Sequence, residues 1–443
     1  MESDLRAIAS EILSRSDADA TEVLLTERDE GLTRFAKNEI HQNVAESSID
    51  VRVRVLVDGR NGVARVNQVD SDSLMGALRL AIDTARAQPG QVDAAPLPSH
   101  GTVAPPPVDP ATAAAGPDER AAVVASVVEA AGKEVDVFGA FSTSHTRLAI
   151  ANSNGLWLEA PRTIADLRVV AMGEDGKGYA DQASSRLGDI DAATAGATAV
   201  EKAMRTRGAT PIEPGAYAVV LEEPAVAELL EYLSFTGLSG LAVEEGRSFM
   251  RLGERVTGDS IHLWDDGHDP AGLPLAFDFE GVVKRRVDLI EGGVAKAVVH
   301  DLASARRAGV EPTGHGLPAP NPSGAWATNL FLAGGDATSK EELCERVGRG
   351  VFVTRFWYVN TVQPKQSVLT GMTREGTFLI ENGKVTRPIK DMRFTQSVMD
   401  AFASTIALTR ETKLEPGSDY DLVTAQVVPA MALGSFNFTS VTR

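Results

Sequence analysis

Cysteine is almost absent from this sequence, and its scarcity limits both the covalent architecture and the catalytic options. The 443 residues include one cysteine, Cys344, so no intrachain disulfide can form. A reducing compartment suits such a chain, and the first residues lack the basic segment and apolar core of a secretory signal. We therefore expect a cytoplasmic protein. Cys344 lies in a predicted helix beside Leu343 and Val347, which predicts a buried structural thiol and not a nucleophile.

Long runs of basic residues and of apolar residues are also missing. The formal net charge is −18, and the longest run of Lys and Arg is the three residues 284–286. This excludes the basic surface that nucleic-acid binding requires. The longest apolar candidate, 229–243, contains Glu231 and is shorter than the roughly 18 residues of a membrane-spanning helix. The sequence therefore predicts a soluble protein with neither nucleic acid nor membrane among its partners.

Helix and strand patterns alternate irregularly through the first half of the chain. Residues 2–16 have apolar positions at helical spacing, 48–58 alternate as a strand does, and 70–73 form an N-cap cluster before another helix. The segment 89–117 contains 8 of the 22 prolines, which is typical of an extended connector. Because similar helix and strand signals resume after it, we interpret this segment as a Pro-rich excursion within one N-terminal domain, 1–212.

The second half, 213–443, is dominated by hairpin signals and follows a turn-rich boundary at 207–215. Residues 286–294 and 377–385 each run from an apolar stretch into Glu-Gly-Gly or Glu-Asn-Gly, which predicts tight hairpins. Between them, 338–342 contains overlapping capping boxes that open a helix. The predicted fold class is α+β with two domains: N-terminal helices on a mainly antiparallel sheet, and a C-terminal hairpin-rich β domain with helices.

The histidines are the natural candidates for chemistry. His262 and His268 flank Asp265 and Asp266, a set that could bind a divalent metal, but Asp-Asp-Gly is also an ordinary turn signal and we favour the turn. His315 lies in a glycine-rich loop that could face a substrate or form a plain turn. No phosphate-binding loop, nucleophile elbow or dinucleotide fingerprint is present. The residues alone therefore predict no metal site and no recognisable active site.

Several segments, in order along nearly the whole chain, resemble the TldD/PmbA family. Residues 276–294 read AFDFEGVVKRRVDLIEGGV and are similar to the family's Asp-x-Glu-Gly segment and the hairpin after it. Residues 301–314, with their Ser-Ala and Pro-Thr-Gly elements, and 332–336, LAGGD, resemble the next two segments. Residues 379–389, LIENGKVTRPI, resemble a later hairpin. The N-terminal half matches in pattern at NSNG (152–155) and PGAY (214–217).

Active members of the family carry H-E-x-x-x-H on a helix and a cysteine near the C-terminus, which together bind zinc. The matching segment here, 229–240, reads LLEYLSFTGLSG. It aligns without gaps when Glu231 and Thr236 occupy the histidine positions and Tyr232 the glutamate position. The tail after 411 contains no cysteine. The resemblance thus implies that this chain has no catalytic residues or cofactor of its own, and that zinc belongs to a TldD-like partner.

The family includes metal-bearing TldD subunits and metal-free PmbA (TldE) subunits, which the resemblance implies form a heterodimer around a cavity. We therefore expect a non-catalytic TldE-like subunit of a zinc metallopeptidase that acts on unfolded peptides or peptide-like amides. Tyr232, Thr236 and His315 are its candidate substrate-cavity residues. Two alternatives stay open: a stand-alone binding or regulatory protein of the modulator-of-gyrase type, and a subunit of a C–N bond hydrolase in a biosynthetic pathway.

Overall fold

The structure is a computed structural model of the chain. It describes residues 3–90, 95–104, 106–132, 134–417 and 423–442. Residues 91–94 and 105 of the predicted Pro-rich excursion lie outside the described residues. Helices pack on two separate β-sheets, which confirms the predicted α+β class. Among the described helices, none is both long and apolar enough to cross a membrane.

The first sheet is antiparallel throughout. Its strands are β1 (Ala20–Ala36), β2 (Glu39–Val57), β3 (Arg60–Val66), β4 (Asp136–Asn152), β5 (Trp157–Met172) and β6 (Lys177–Ser184). Their spatial order is β3-β2-β1-β4-β5-β6. The predicted alternation in β2 is confirmed, because Val51, Val53 and Val55 are buried while Arg52 and Arg54 between them are only partly covered.

Helices cover one face of this sheet. They are α1 (Leu5–Arg15), α2 (Ser71–Ala87), α3 (Pro110–Ala114), α4 (Pro117–Ala131) and α5 (Ala192–Arg205). Two apolar clusters join them to the strands, one under α1 and α2 and one under α4 and α5. The short helix α3 lies within the Pro-rich excursion, where the composition predicted only extended chain. It forms because Pro110 suits a first helical turn and the Asp109 carboxylate accepts from the Thr112 amide at 2.9 Å.

The C-terminal half is built on the second sheet. Its strands are β7 (Gly215–Leu221), β8 (Leu263–Asp265), β9 (Val287–Glu291), β10 (Val294–Ala295), β11 (Asn329–Leu332), β12 (Gly350–Gln363), β13 (Val368–Glu381), β14 (Lys384–Pro388), β15 (Met392–Ser397), β16 (Thr405–Pro416) and β17 (Ala425–Val441). Pairing runs β7-β12-β13-β15-β17 and then returns from β17 to β7, so these strands close into a barrel. The rings of Phe356, Phe394 and Phe436 pack together in the core, with centroids 4.6–5.5 Å apart.

The helices of this half are α6 (Glu223–Gly237), α7 (Gly240–Glu244), α8 (Leu302–Ala308), α9 (Lys340–Val347) and α10 (Val398–Ala403). Both predicted hairpins are confirmed as β9–β10 and β13–β14, and their turns hold Gly293 and Gly383 at φ +74° and +75°. The predicted capping box opens α9, with Ser339 accepting from the Glu342 amide at 3.2 Å. The division at residue 212 stays a prediction; the first sheet ends at Ser184 and the second begins at Gly215.

The two halves meet on the face of the first sheet that the helices leave open. Leu24, Leu148 and Ile150 pack there against Leu275 and Phe277 of the C-terminal half. The predicted family segment at 276–281 therefore lies at this junction. The Asp278 carboxylate accepts from the amides of Glu280 and Val282 at 3.0 and 2.9 Å, and from the Gly316 amide at 2.7 Å. It thereby ties two loops of the C-terminal half together beside the sheet.

Candidate functional site

Helix α6 follows β7 and contains Glu231, Tyr232 and Thr236, the residues that the resemblance aligns with the family's peptidase motif. Pro224 occupies its first turn, where a missing amide hydrogen costs nothing, and Gly237 ends it. The helix is apolar around most of its circumference and packs against β12 and β17. A helix of that composition is stable only when it is enclosed. Glu231, with 6% of its surface exposed, is therefore an unusual charge in a buried helix.

The three motif positions do not share one face of the helix. Glu231 and Tyr232 line a cavity, whereas Thr236 donates its hydroxyl hydrogen to the carbonyl of Tyr232 at 2.6 Å and turns back onto the helix. Positions 231 and 236 lie about 140° apart on a regular helix. Because α6 stays helical to Gly237, this angle is preserved, and Thr236 is not among the residues that line the cavity.

The cavity lies between the two halves of the chain and has a volume of about 580 Å³; we call it the interdomain cavity. Its walls come from β5 and β6 of the first sheet, and from α6, β12, β16 and β17 of the C-terminal half. Tyr179, Tyr232, Trp357 and Tyr358 contribute aromatic surface. The charged residues that line it are Arg168, Asp181, Glu228, Glu231, Arg355 and Glu415.

Glu228, one turn before Glu231, has a pKa raised from 4.5 to about 7. Burial is the main cause, the negative charge of Glu231 adds to it, and Arg355 and Arg168 oppose it. Burial also raises the pKa of Tyr232 to about 12, so its phenol stays neutral, and it donates to the carbonyl oxygen of Val359. The α6 wall therefore presents a carboxyl group whose ionised form is disfavoured by burial.

A buried ionic network joins the first sheet to the barrel beside this wall. The Lys413 ammonium donates to Asp181 at 2.5 Å and lies 2.8 Å from Glu415, while the Tyr179 hydroxyl donates to Asp181 at 2.9 Å. Burial opposes ionisation of Asp181, but attraction to Lys413 outweighs it and lowers the pKa of that carboxyl. Burial and the neighbouring Asp181 charge raise the pKa of Glu415 well above its ordinary value. The ionised pair is thus Asp181 and Lys413.

Arg355 lines the cavity beside this network, and its guanidinium stacks on two aromatic rings. Its guanidinium carbon lies 4.0 Å from the centroid of the Tyr179 ring and 5.2 Å from that of Trp357. Its Nε donates to Glu375 at 2.6 Å, so the charge is also paired. Stacking and pairing together hold the arginine rigidly, because a planar guanidinium satisfies both geometries at once.

His315 lies at the junction and does not line the interdomain cavity. It is 1% exposed, and its ring nitrogens are 2.7 Å from Asp265 Oδ1 and 2.9 Å from Thr313 Oγ1. Burial and the nearby Lys284 charge lower the pKa of His315. This geometry matches the turn alternative better than a substrate-facing loop. A substrate role for His315 and Thr236 stays a prediction.

The other sequence candidates are dispersed. His268 contacts the Lys284 carbonyl at 2.7 Å, while His262 accepts from the Gly292 amide at 3.4 Å. No three His, Cys, Asp and Glu side chains in the described part of the chain converge as metal ligands. Cys344 is 2% exposed, and burial raises the pKa of its thiol to about 12, which confirms the predicted buried thiol.

The motif positions on α6 do not fit zinc. Structural and catalytic zinc sites are built mainly from imidazole and thiolate, with a carboxylate as one member of the set. Here the set is one carboxylate, a neutral phenol that donates to Val359, and a hydroxyl that is engaged with its own helix. These three side chains therefore do not form a zinc site.

Sequence reasoning missed most of the cavity wall. Arg168, Asp181 and Glu415 lie on strands far apart in sequence, and no local pattern links them. Glu228 did carry a signal: it is a second carboxylate in a helix whose neighbours are almost all apolar, one turn from Glu231. A charge pair at that spacing in a buried helix predicts a polar cavity beside it.

Family models match the chain over most of its length. A "PmbA/TldA metallopeptidase C-terminal domain" matches residues 214–440, more than half of the chain. The corresponding central domain matches 107–207 and domain 1 matches 21–88. The fold and the cavity define a two-sheet α+β protein, and the matching models are those of a metallopeptidase family. The chain belongs to the PmbA/TldD family.

Relatives and solved structures agree with this assignment. A metalloprotease of Methanocaldococcus jannaschii is 29% identical over 225 residues, 49% of each chain, and a TldD homologue of Haemophilus influenzae is 27% identical over 240 residues, 52% of this chain and 48% of its own. The chain spans about half the length of these curated relatives. The crystal structure of TldE from Thermococcus kodakarensis is 20% identical with a TM-score of 0.85, covering 98% of this chain and 99% of that one. A putative modulator of a DNA gyrase from Thermotoga maritima, also 20% identical, has a TM-score of 0.83 over 98% and 100%.

Proposed function

We propose that this chain is a non-catalytic, TldE-like subunit of a heteromeric zinc metallopeptidase that acts on unfolded peptides or peptide-like amides. The observation that carries the proposal is the α6 wall, where Glu231 and Tyr232 face the cavity at positions that hold a zinc ligand and a general base in active relatives. Zinc and its activated water are supplied by a TldD-like partner. This chain completes the cavity and holds the substrate.

The chemistry of the interdomain cavity supports a binding role. Aromatic rings and paired arginines offer surface and hydrogen-bond donors, and carboxylates offer acceptors, but no imidazole or thiolate faces the space among the described lining residues. Such walls can orient an extended peptide through its backbone groups. They do not generate a hydroxide nucleophile, which needs a metal or an activated side chain.

The test is co-expression with a TldD-like protein that carries H-E-x-x-x-H and a late cysteine. We expect the two chains to co-elute in size-exclusion chromatography, with zinc and peptidase activity present in the complex. A His→Ala change in the partner's motif should remove zinc and activity but leave the complex intact. This chain, purified alone, should hold no stoichiometric zinc and hydrolyse no peptide.

Other outcomes would separate the alternatives. About one tightly bound zinc per isolated chain, or chelator-sensitive hydrolysis by the chain alone, contradicts the proposal. Failure to co-elute at micromolar concentrations favours a stand-alone binding or regulatory protein. A complex that is inactive on peptides but hydrolyses a small biosynthetic amide favours the dedicated C–N bond hydrolase.

A further inference from the structure

We propose that the interdomain cavity of this chain, without any partner, is a binding site for a primary ammonium group with a carbonyl acceptor beside it, as at the N-terminal end of a peptide. Glu228 receives the ammonium and Gln426 donates to the carbonyl. This goes beyond the proposed function because it assigns a ligand to the isolated chain.

Glu228 supplies the first observation. Its carboxylate lines the cavity, and within the part of the chain that the structure describes it makes no hydrogen bond or ion pair. A carboxylate that is largely removed from water and left without a donor is destabilised in its charged form. Burial and Glu231 accordingly raise the pKa of Glu228 to about 7. A bound cation stabilises the charged carboxylate in place of the water that burial excludes. A primary ammonium also supplies hydrogen-bond donors to the carboxylate oxygens.

Gln426 supplies the second, independent observation. It lies on β17, lines the same cavity and is 1% exposed. Its Nε2 has no acceptor among the described residues. A buried amide donor without an acceptor costs on the order of 1–3 kcal/mol, which a ligand carbonyl offsets. The cavity thus offers an acidic side chain and a buried amide donor. A ligand that carries both a cation and a carbonyl oxygen would satisfy the two groups together.

The remaining walls limit what that ligand can be. Arg168 pairs with Asp166, and Arg355 pairs with Glu375. A strongly anionic group on the ligand would therefore find neither guanidinium unpaired. Tyr179 and Trp357 add flat aromatic surface that suits a short apolar side chain. A volume of about 580 Å³ accommodates a ligand of dipeptide size. These features select a small amine with an amide and not a dianion.

The probe is alanyl-alaninamide, titrated into the isolated chain by calorimetry, with its N-acetyl form as the uncharged counterpart. We expect binding with a Kd near or below about 1 mM, which corresponds to roughly −4 kcal/mol. Acetylation should weaken binding at least about tenfold. Glu228→Gln should do the same, and Gln426→Leu should weaken the free amine by several-fold. Ethylamine lacks the carbonyl, so Gln426→Leu should reduce its affinity less than it reduces the affinity of the dipeptide amide.

The control variant is Glu254→Gln, because Glu254 is exposed and remote from the cavity. It should bind as the unchanged chain does. Thermal melting verifies that every variant is folded, and Glu228→Gln is nearly isosteric. Equal affinity for the free and acetylated probes, unchanged affinity in Glu228→Gln, or no binding at about ten times the expected Kd each overturns the proposal. Such failures leave the co-elution test of the proposed function unaffected.

Discussion

Three carboxyl groups, the buried Glu22 and Asp278 and the partly covered Glu280, lie together where the first sheet meets the C-terminal loops. Arg54 lies 3.7 Å from Glu22 and 4.0 Å from Glu280. Burial, followed by the Asp278 charge, raises the pKa of Glu280 to about 8. Burial also raises the pKa of Glu22 to about 7, against the attraction of Arg54. The attraction of Arg54 thus does not offset the cost of burial for either glutamate.

The raised pKa values predict that stability falls as the pH rises. Between the unfolded pKa near 4.5 and the folded values of about 7 and 8, the folded chain retains protons that the unfolded chain has released. The free energy of unfolding should therefore decline across this window, by at most about 1.4 kcal/mol per pH unit for each group. Urea unfolding between pH 5 and 8 measures this decline, and Glu280→Gln should flatten it.

Glu291→Gln is the matched control, because the Glu291 side chain is 66% exposed and pairs with Lys296 at the surface. It should keep the slope of the unchanged chain. The pKa of Glu222 is lowered to about 2, because attraction to Lys202 and Lys340 outweighs the effect of burial. Its stabilising effect is therefore lost only as the pH falls below about 4.5, which is outside the measured range of pH 5 to 8. An identical slope in Glu280→Gln and in the unchanged chain would contradict the prediction.

At the scale of elements, α6 lines the interdomain cavity with Glu231 and Tyr232, two of the positions that the resemblance aligns with the family's peptidase motif. Tyr232 is its most informative side chain, because its ring packs 5.1 Å from Phe235 and its hydroxyl donates to Val359 of β12. Phe235 in turn lies 5.5 Å from Trp326 and is partly exposed. The helix therefore presents an aromatic surface at its C-terminal end as well as a polar cavity wall.

We expect Tyr232→Ala to weaken assembly with a TldD-like partner, or retention of the substrate, by about tenfold without changing the zinc content of the partner. Loss of the aromatic surface is the physical cause, and tenfold corresponds to about 1.4 kcal/mol. Tyr232→Phe is the control, because it keeps the ring and loses only the hydroxyl. Co-elution yield and peptide turnover are the measurements. If Tyr232→Ala equals the unchanged chain in both co-elution yield and peptide turnover, α6 has only a structural role in the hydrophobic core.

At the scale of the whole molecule, the Asp181–Lys413 pair connects the first sheet to β16, which pairs with the barrel strand β17. Asp181 is 6% exposed, whereas the Lys413 side chain is 34% exposed and also lies 2.8 Å from Glu415. Asp181→Asn should therefore lower the free energy of unfolding by about 1–2 kcal/mol, between the effects of losing an exposed and a fully buried pair. Urea unfolding measures the loss.

Asp288→Asn is the matched control for that prediction. Asp288 pairs with Arg286 at the surface, with both side chains more than half exposed. Such pairs contribute roughly 0–1 kcal/mol, so the control should change stability little. If both variants lose the same stability, the connection between the halves does not depend on the buried pair.

The sequence by itself determined the features that depend on neighbouring residues. The alternation in β2, the capping box of α9 and the two glycine hairpins were all predicted, because a turn or a cap is decided within a few residues. The resemblance to the PmbA/TldD family followed from similar local segments in the right order, and the family models confirm it.

Tertiary structure alone decided which distant residues meet. The sequence left both a plain turn and a substrate-facing loop open for His315, whereas only the fold shows that the ring is buried against Asp265, 50 positions away. It also brings Arg168 and Asp181 of the first sheet opposite Glu228 of α6 and Gln426 of β17. Side chains so far apart along the chain share no periodicity or motif. Their proximity depends on how the barrel closes and how the two halves pack, and only then do burial and neighbouring charge set their pKa values.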